Sequence, residues 1–318
     1  MGRAAARGSR RGTAAEVAAL AELGHGEGGG SRISAGDGRR DGWARGLRPS
    51  GLRSDYRRWA LTRRSSLWTS RRAPSPQVSI RLVQPYENAP GDYGLQLLDM
   101  DILLNATSES DKSGLQVAIH AIGDKANDML LDMFDKVVSL NGMKDRRFRL
   151  CFSIEHAQHL SAGAANCSRE HGIIASVQPD HLLDDADSAG KKIGVERAER
   201  SSYLFLSLLA GGAHLAFGSD WPVSDIYPLQ AIKTAMSHKL PGWEEPWISE
   251  ERLPMDDSLK VHTISATYAC FLDHVVGSLV EGKYADFVVL SSTSWCEFAD
   301  DTPGHVVATY VNGKQAYP

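Results

Sequence analysis

Leu115-Gln116-Val117-Ala118-Ile119-His120-Ala121-Ile122-Gly123-Asp124 is the stretch on which the fold turns. An apolar run ends on a histidine, and Gly123 and Asp124 follow as a turn and a helix cap. Beyond them Ala126, Met129, Leu130, Met133, Phe134, Val137 and Val138 recur at helical spacing and predict an amphipathic helix. A strand, a short loop and a helix in this order make one βα unit.

The pattern repeats downstream. Residues 148–156 read as a strand closing on Ile154-Glu155-His156, followed by a helix after Ser161 that stops at Gly172. A strand over 173–178 leads into a long polar loop and a helix over 195–210; the strand over 215–219 then runs into Phe217-Gly218-Ser219-Asp220-Trp221-Pro222. Pro228 opens a helix to about 238, Trp243, Pro246 and Trp247 lie in a loop, and 256–274 reads as another helix. Upstream, Val78, Ile80, Leu82 and Val83 suggest a strand beginning at Gln77. A helix over 95–110 carries Leu97, Leu98, Ile102 and Leu103 on one face. Strands alternating with helices, with little polar alternation, imply an α/β fold with a parallel sheet covered on both faces. Residues 285–290 and 306–311, the latter before Asn312-Gly313, read as strands of a separate small β element. The expected domains are 1–76, 77–275 and 276–318.

Charge divides the 318 residues unevenly. Residues 1–75 carry 16 Arg, no Lys and 6 acidic residues, a net +10, whereas the rest carries 19 basic and 33 acidic residues, a net −14. The front segment, rich in Gly, Ala, Ser and Arg, is expected to be mostly disordered, since it has little apolar surface to offset its ordering entropy. Its Arg-rich start resembles an organelle transit peptide, but Glu16, Glu22 and Glu27 interrupt it. Arg neutralises phosphate, yet Trp43, Tyr56, Trp59 and Trp68 form no recognisable stacking module, so no nucleic-acid partner is expected. No run approaches the roughly 20 apolar residues of a membrane span. The expectation is a soluble chain, cytoplasmic unless the front segment targets it. Cys151, Cys167, Cys270 and Cys296 lack Cys-x-x-Cys spacing and read as reduced thiols.

His120 and His156 each end a strand of neighbouring βα units. Either alone reads more often as a hydrogen-bonded structural residue than as a ligand; as a pair they would aim imidazoles at one point above the sheet, as zinc binding requires. Asp220 has two readings as well, a turn residue before Trp221-Pro222 or a carboxylate that binds metal and moves protons.

From about Pro85 onward, roughly three quarters of the chain resembles the amidohydrolase superfamily in its amidohydrolase-3 branch, most of all the plant proteins of the long-after-far-red type. Five motifs carry the resemblance in order. They are residues 116–124, Ile154-Glu155-His156-Ala157-Gln158, Ser176-Val177-Gln178-Pro179-Asp180-His181, Phe217-Gly218-Ser219-Asp220-Trp221-Pro222, and residues 277–286. The resemblance implies a partial TIM-like (β/α)8 barrel, its strands five to eight, with the remnant of a small C-terminal β-sandwich. It makes His120, His156 and Asp220 ligands of a divalent metal, zinc in the first instance, and Asp220 the catalytic proton shuttle. Gln178, Asp180, His181 and Trp221 would contact substrate, a small molecule with an amide or cyclic amide C–N bond to hydrolyse.

The chain departs from that pattern. Family members end the first barrel strand with His-x-His, which occurs nowhere here; His25 is the sole histidine ahead of His120. The sequence before Leu115 is too short for four βα units of a barrel that takes about 250 residues. Weak metal affinity follows unless His159, His181 or a partner contributes, and open sheet edges would invite self-association. Leu150-Cys151-Phe152-Ser153 is an insertion whose four residues preserve strand parity, so His156 keeps its facing. The alternative to a hydrolase is a truncated, non-catalytic relative that acts as a binding or signalling partner.

Overall fold

The computed structural model describes residues 80–142, 152–292, 294 and 304–317. Expectations for the front segment, for residues 77–79 and 148–151, for Cys151 and Cys296, and for the first half of the insertion lie outside these residues. The chain divides into two compact units, one running to Pro254 and the other beginning at Met255.

The first unit is built on four parallel strands in sequence order, β1 (Val117–Ala121), β2 (Phe152–His156), β3 (Ile174–Val177) and β4 (His214–Phe217). Register aligns Ile119, Ile154, Ala175 and Leu215 in one row and His120, Glu155, Ser176 and Ala216 in the next. The first row is buried, 3% exposed or less. Helices α2 (Asp124–Asn141), α3 (Ala164–His171) and α6 (Phe205–Ala210) cover that side. Ala126, Leu130, Met133, Phe134, Val137 and Val138 form the buried stripe of α2, as the spacing predicts. This is the α/β architecture of four consecutive barrel strands and their helices.

Several local expectations are corrected. Residues 80–83 form no strand. They are tied to the start of α2 instead, with Ala126 N donating to Arg81 O and Val83 N donating to Asp124 Oδ1, at 3.0 and 2.9 Å. The Asp124 carboxylate is thereby engaged, and Gly123 occupies the cap position without a side-chain bond. Glycine is required at 123 because a Cβ would collide with the Arg81 carbonyl. Helix α1 (Met100–Lys112) starts later than expected because Asp99 caps it, accepting from the N–H groups of Asp101 and Ile102. Leu103 is then buried while Ile102 is 64% exposed, so the expected apolar face is narrower than its sequence suggests.

The stretch read as a long polar loop is helix α4 (His181–Ile193), whose buried stripe is Leu182, Ala186, Ala189 and Ile193. Two alanines in the stripe hide it from an apolar count. The helix expected over 195–210 is two, α5 (Val195–Ser201) and α6, broken where Tyr203 turns left-handed at φ 51°. Helix α7 (Pro228–Ser237) follows its prediction, with proline in the first turn.

In the second unit, α8 (Met255–Lys260), a π turn (Val261–Ser265) and α9 (Ala266–Ala269) replace the single helix expected over 256–274, which ends at Cys270. The two expected strands, β5 (Phe287–Leu290) and β6 (Val306–Val311), pair antiparallel, with Phe287 stacked on Tyr310 across the pair. A third strand, β7 (Lys314–Tyr317), joins them through Asn312-Gly313, both at positive φ, the requirement of a tight hairpin turn. Among the described residues no helix is long and apolar enough to cross a membrane.

Candidate metal centre

The four strands each send a polar residue to the carboxyl rim: His120 within β1, His156 at the end of β2, Gln178 just past β3 and Asp220 beyond β4. His181 opens α4 beside them. Strand alternation by itself would separate the first two, because register pairs His120 with Glu155 and Ala121 with His156. Instead His156 and Ala157 leave the extended region, at φ 78° and 43°. The imidazole swings inward until its Nε2 is 2.8 Å from His120 Nδ1. The facing of His156 is thus set by this backbone turn and not by the strand parity that the sequence suggested. Asp220 is left-handed too, at φ 55°. Such positions cost about 1–3 kcal/mol each in a non-glycine residue, and they concentrate at functional sites.

Gln178 is 6% exposed. Its Oε1 lies 2.9 Å from His156 Nδ1, and its Nε2 faces the Ser176 carbonyl at 3.4 Å. An amide oxygen only accepts, so His156 Nδ1 donates to it, and Nε2 is the nitrogen that faces His120 at the rim. The rings of His156 and His181 stack with centroids 5.7 Å apart. His181 Nε2 is buried without a hydrogen-bond partner among the described residues, and Asp220 Oδ2 stands 3.8 Å from it. Burial first, then the neighbouring His156, pushes His120 and His181 below the ordinary histidine range. Both rings are therefore neutral near pH 7, and the His181–Asp220 approach is not an ion pair.

The donor set fits a divalent metal. His156, His181 and Asp220 each present one ligand atom within 4.8 Å of the others, and His120 touches His156. Neutral imidazoles with one carboxylate are the ligands that zinc and its first-row neighbours prefer, and the unpartnered His181 nitrogen is the kind of buried atom that an ion satisfies.

Of the residues expected at the site, the structure brings His120, His156, Gln178, His181 and Asp220 together. Asp180 is buried against α7, where its Oδ1 accepts from Thr234 Oγ1 at 2.7 Å; burial raises its pKa above the ordinary carboxylate value. Trp221 stands 55% exposed next to Asp220, and Trp221-Pro222 is a cis peptide bond. His159 does not join the centre: it is buried with Nδ1 2.9 Å from Ser202 Oγ. The sequence signalled His181 through the motif over residues 176–181, as a substrate contact and as a further ligand that could strengthen the centre.

A model of the amidohydrolase family (Amidohydro_3) matches residues 67–317. The chain is 58% identical over 235 residues to the protein LONG AFTER FAR-RED 3 of Arabidopsis thaliana, covering 74% of this chain and 40% of the relative. It is 25% identical over 256 residues to N-substituted formamide deformylase of Arthrobacter pascens, covering 79% of this chain and 45% of the relative. Among solved structures it resembles an uncharacterized metal-dependent hydrolase from Pyrococcus horikoshii with a TM-score of 0.58 and 25% identity, over 68% of this chain and 44% of the other. The chain spans less than half the length of these relatives.

Proposed function

Because this chain belongs to the amidohydrolase family, matched over residues 67–317, we propose that it performs metal-dependent hydrolysis of a C–N bond in a small, non-peptide amide. The observation that carries this reading is the meeting of His120, His156, His181 and Asp220, three imidazoles and a carboxylate, on one sheet rim. His120, His156 and Asp220 are the ligands we assign, and His181 is the further imidazole at the centre. A divalent ion held there, zinc by the donor set, supplies Lewis acidity to the substrate carbonyl and to water. Asp220, with its side chain 32% exposed, accepts the proton of the attacking water and returns it to the departing nitrogen. Gln178 holds the His156 tautomer. Trp221 offers an open apolar wall to substrate, and N-acylated small amines, of which the formamides named for the Arthrobacter relative are one kind, are the first substrates to try.

Expressed and purified in the presence of zinc, the chain is expected to retain close to one equivalent and to lose hydrolysis on chelation. A chain that takes up no stoichiometric divalent metal overturns this reading. The second reading is a protein that binds ligand without turnover. It predicts bound metal with no chelator-sensitive hydrolysis.

A further inference from the structure

A buried polar cluster lies behind the metal centre, formed by residues to which no role has been given. Asp185 Oδ2 accepts a hydrogen bond from Tyr203 Oη at 2.5 Å and another from Gln158 Nε2. Gln158 is 9% exposed and Tyr203 3% exposed, while Asp185 is half-buried. Each member belongs to a different segment that the rim depends on. Gln158 sits two residues after His156, past the left-handed pair His156–Ala157. Asp185 is one turn beyond His181 on α4, which places the two on the same helix face. Tyr203 is the left-handed break between α5 and α6.

The backbone reinforces the cluster. Tyr203 N donates to Gln158 O at 2.9 Å, Leu160 N donates to Ser201 O at 2.8 Å, and His159 and Ser202 form a β-bridge. Residues 158–160 and 201–203 are zipped together, and Asp185 fastens α4 to that zipper with two charge-assisted hydrogen bonds. Such bonds are about twice as strong as neutral ones. A strained turn at His156 persists only where its surroundings over-determine it, and this cluster is the anchor immediately beyond the turn.

We propose that Asp185 is a positioning residue for the metal centre, one that locks the His156 turn and the His181 end of α4 into a single frame through Gln158 and Tyr203. This rests on the metal-hydrolase reading above and adds to it a device outside the ligand set. Loss of the lock leaves both imidazoles in place chemically but free to drift apart. The centre then binds metal more weakly before the fold itself fails.

Cobalt(II) serves as the probe in the full chain, because its visible absorption reports coordination geometry as well as affinity. The wild-type protein is titrated first, then Asp185→Asn, Tyr203→Phe and the control Glu251→Gln. Glu251 is likewise buried and accepts two hydrogen bonds from Ser207, through its N–H at 2.9 Å and its Oγ at 2.5 Å, but touches no rim residue in these bonds. Asp185→Asn is expected to weaken cobalt binding about 10–100-fold, the usual effect of losing a residue that orients a ligand, and to reduce the tetrahedral absorption band. Tyr203→Phe moves both readouts the same way by less, and remains informative if Asp185→Asn fails to fold. Glu251→Gln lowers the melting temperature without changing either. Wild-type protein that ignores cobalt defeats the hydrolase reading and this one together. Wild-type protein that binds cobalt while Asp185→Asn or, in its stead, Tyr203→Phe binds equally well overturns the positioning role alone, as does an equal loss in Glu251→Gln.

Discussion

The two faces of the four-stranded sheet are made of the same strands and share almost no chemistry. On the helix-covered face, Ile119, Ile154, Ala175 and Leu215 stand in register and are sealed from water. One residue along each strand, His120, Glu155, Ser176 and Ala216 line the opposite face, where the first three are half-buried and Ser176 Oγ donates to Glu155 Oε2 at 2.6 Å. The first face supplies hydrophobic stabilisation. The second, continued upward by the left-handed His156 and Asp220, supplies the donor atoms. Histidine follows the same division. At the rim, His156 Nε2 meets His120 and His181 keeps an unpartnered nitrogen, whereas His159 and His238 are packed away, His238 against the Phe205 ring that in turn meets Phe217 of β4.

If the faces are separable, substitutions should affect catalysis or folding but not both. The largest expected effect belongs to Asp220→Asn. Asparagine tolerates left-handed backbone, so the turn at φ 55° survives while the proton acceptor is lost. Hydrolysis should fall about 10²–10⁴-fold, the usual contribution of a general base, with a urea midpoint within error of wild type. Unchanged turnover would remove Asp220 from the chemistry, whereas no turnover in wild type and variant alike would favour the binding-only reading. Next comes Ile119→Ala on the sealed face, where the side chain is 0% exposed. A loss of about 2–5 kcal/mol in unfolding free energy is expected from transfer and cavity terms. Cobalt affinity of the folded fraction should stay the same, and a parallel drop would mean that the faces are mechanically coupled.

This division explains how much of the molecule could be read in advance. The βα rhythm, the parallel sheet and the histidines at its rim all follow from apolar runs ending on His120, His156 and Asp220, because strand ends are visible in sequence. What stayed hidden depends on backbone departures that no periodicity encodes. His156 faces His120 only through positive φ, and α5 parts from α6 at Tyr203 for the same reason. Helix α4 was obscured because Ala186 and Ala189 carry half its buried stripe, and with it went the partnership of Asp185. Asp180 and Trp221 share motifs with site residues, and the contacts they make, Asp180 to Thr234 and Trp221 with solvent, were not legible there either.

A smaller effect tests the buried histidines that take no part in the centre. Burial pushes His159 and His238 from the ordinary 6.5 down to about 4. As pH falls through 6.5 the unfolded chain takes up a proton at each position, while the folded chain does not until about 4. Stability is therefore full above that window and drains away as the pH drops within it, by roughly 2 kcal/mol per histidine at pH 5. Urea titrations at pH 7 and pH 5 read the slope, and His238→Gln should flatten it. A stability that holds level down to pH 5 would contradict the packed, neutral state assigned to these rings.

The smallest effect sharpens the comparison most. Ser176 occupies the open row between Glu155 and Ala216, and Ser176→Val replaces its hydroxyl with a methyl group and adds a second methyl on Cβ. Were this face a dry core, the added valine would be buried and the loss of one hydrogen bond, worth about 1 kcal/mol, would be met or exceeded by burial of roughly 1.5 kcal/mol or more. On a face wetted for substrate the valine stays partly in water and water takes over the bond to Glu155, so the net change should be under about 0.5 kcal/mol. Chemical denaturation resolves the two cases. A stabilisation above about 0.5 kcal/mol would mean that the second face is packed like the first, and that the rim, rather than the whole row beneath it, is all that distinguishes them.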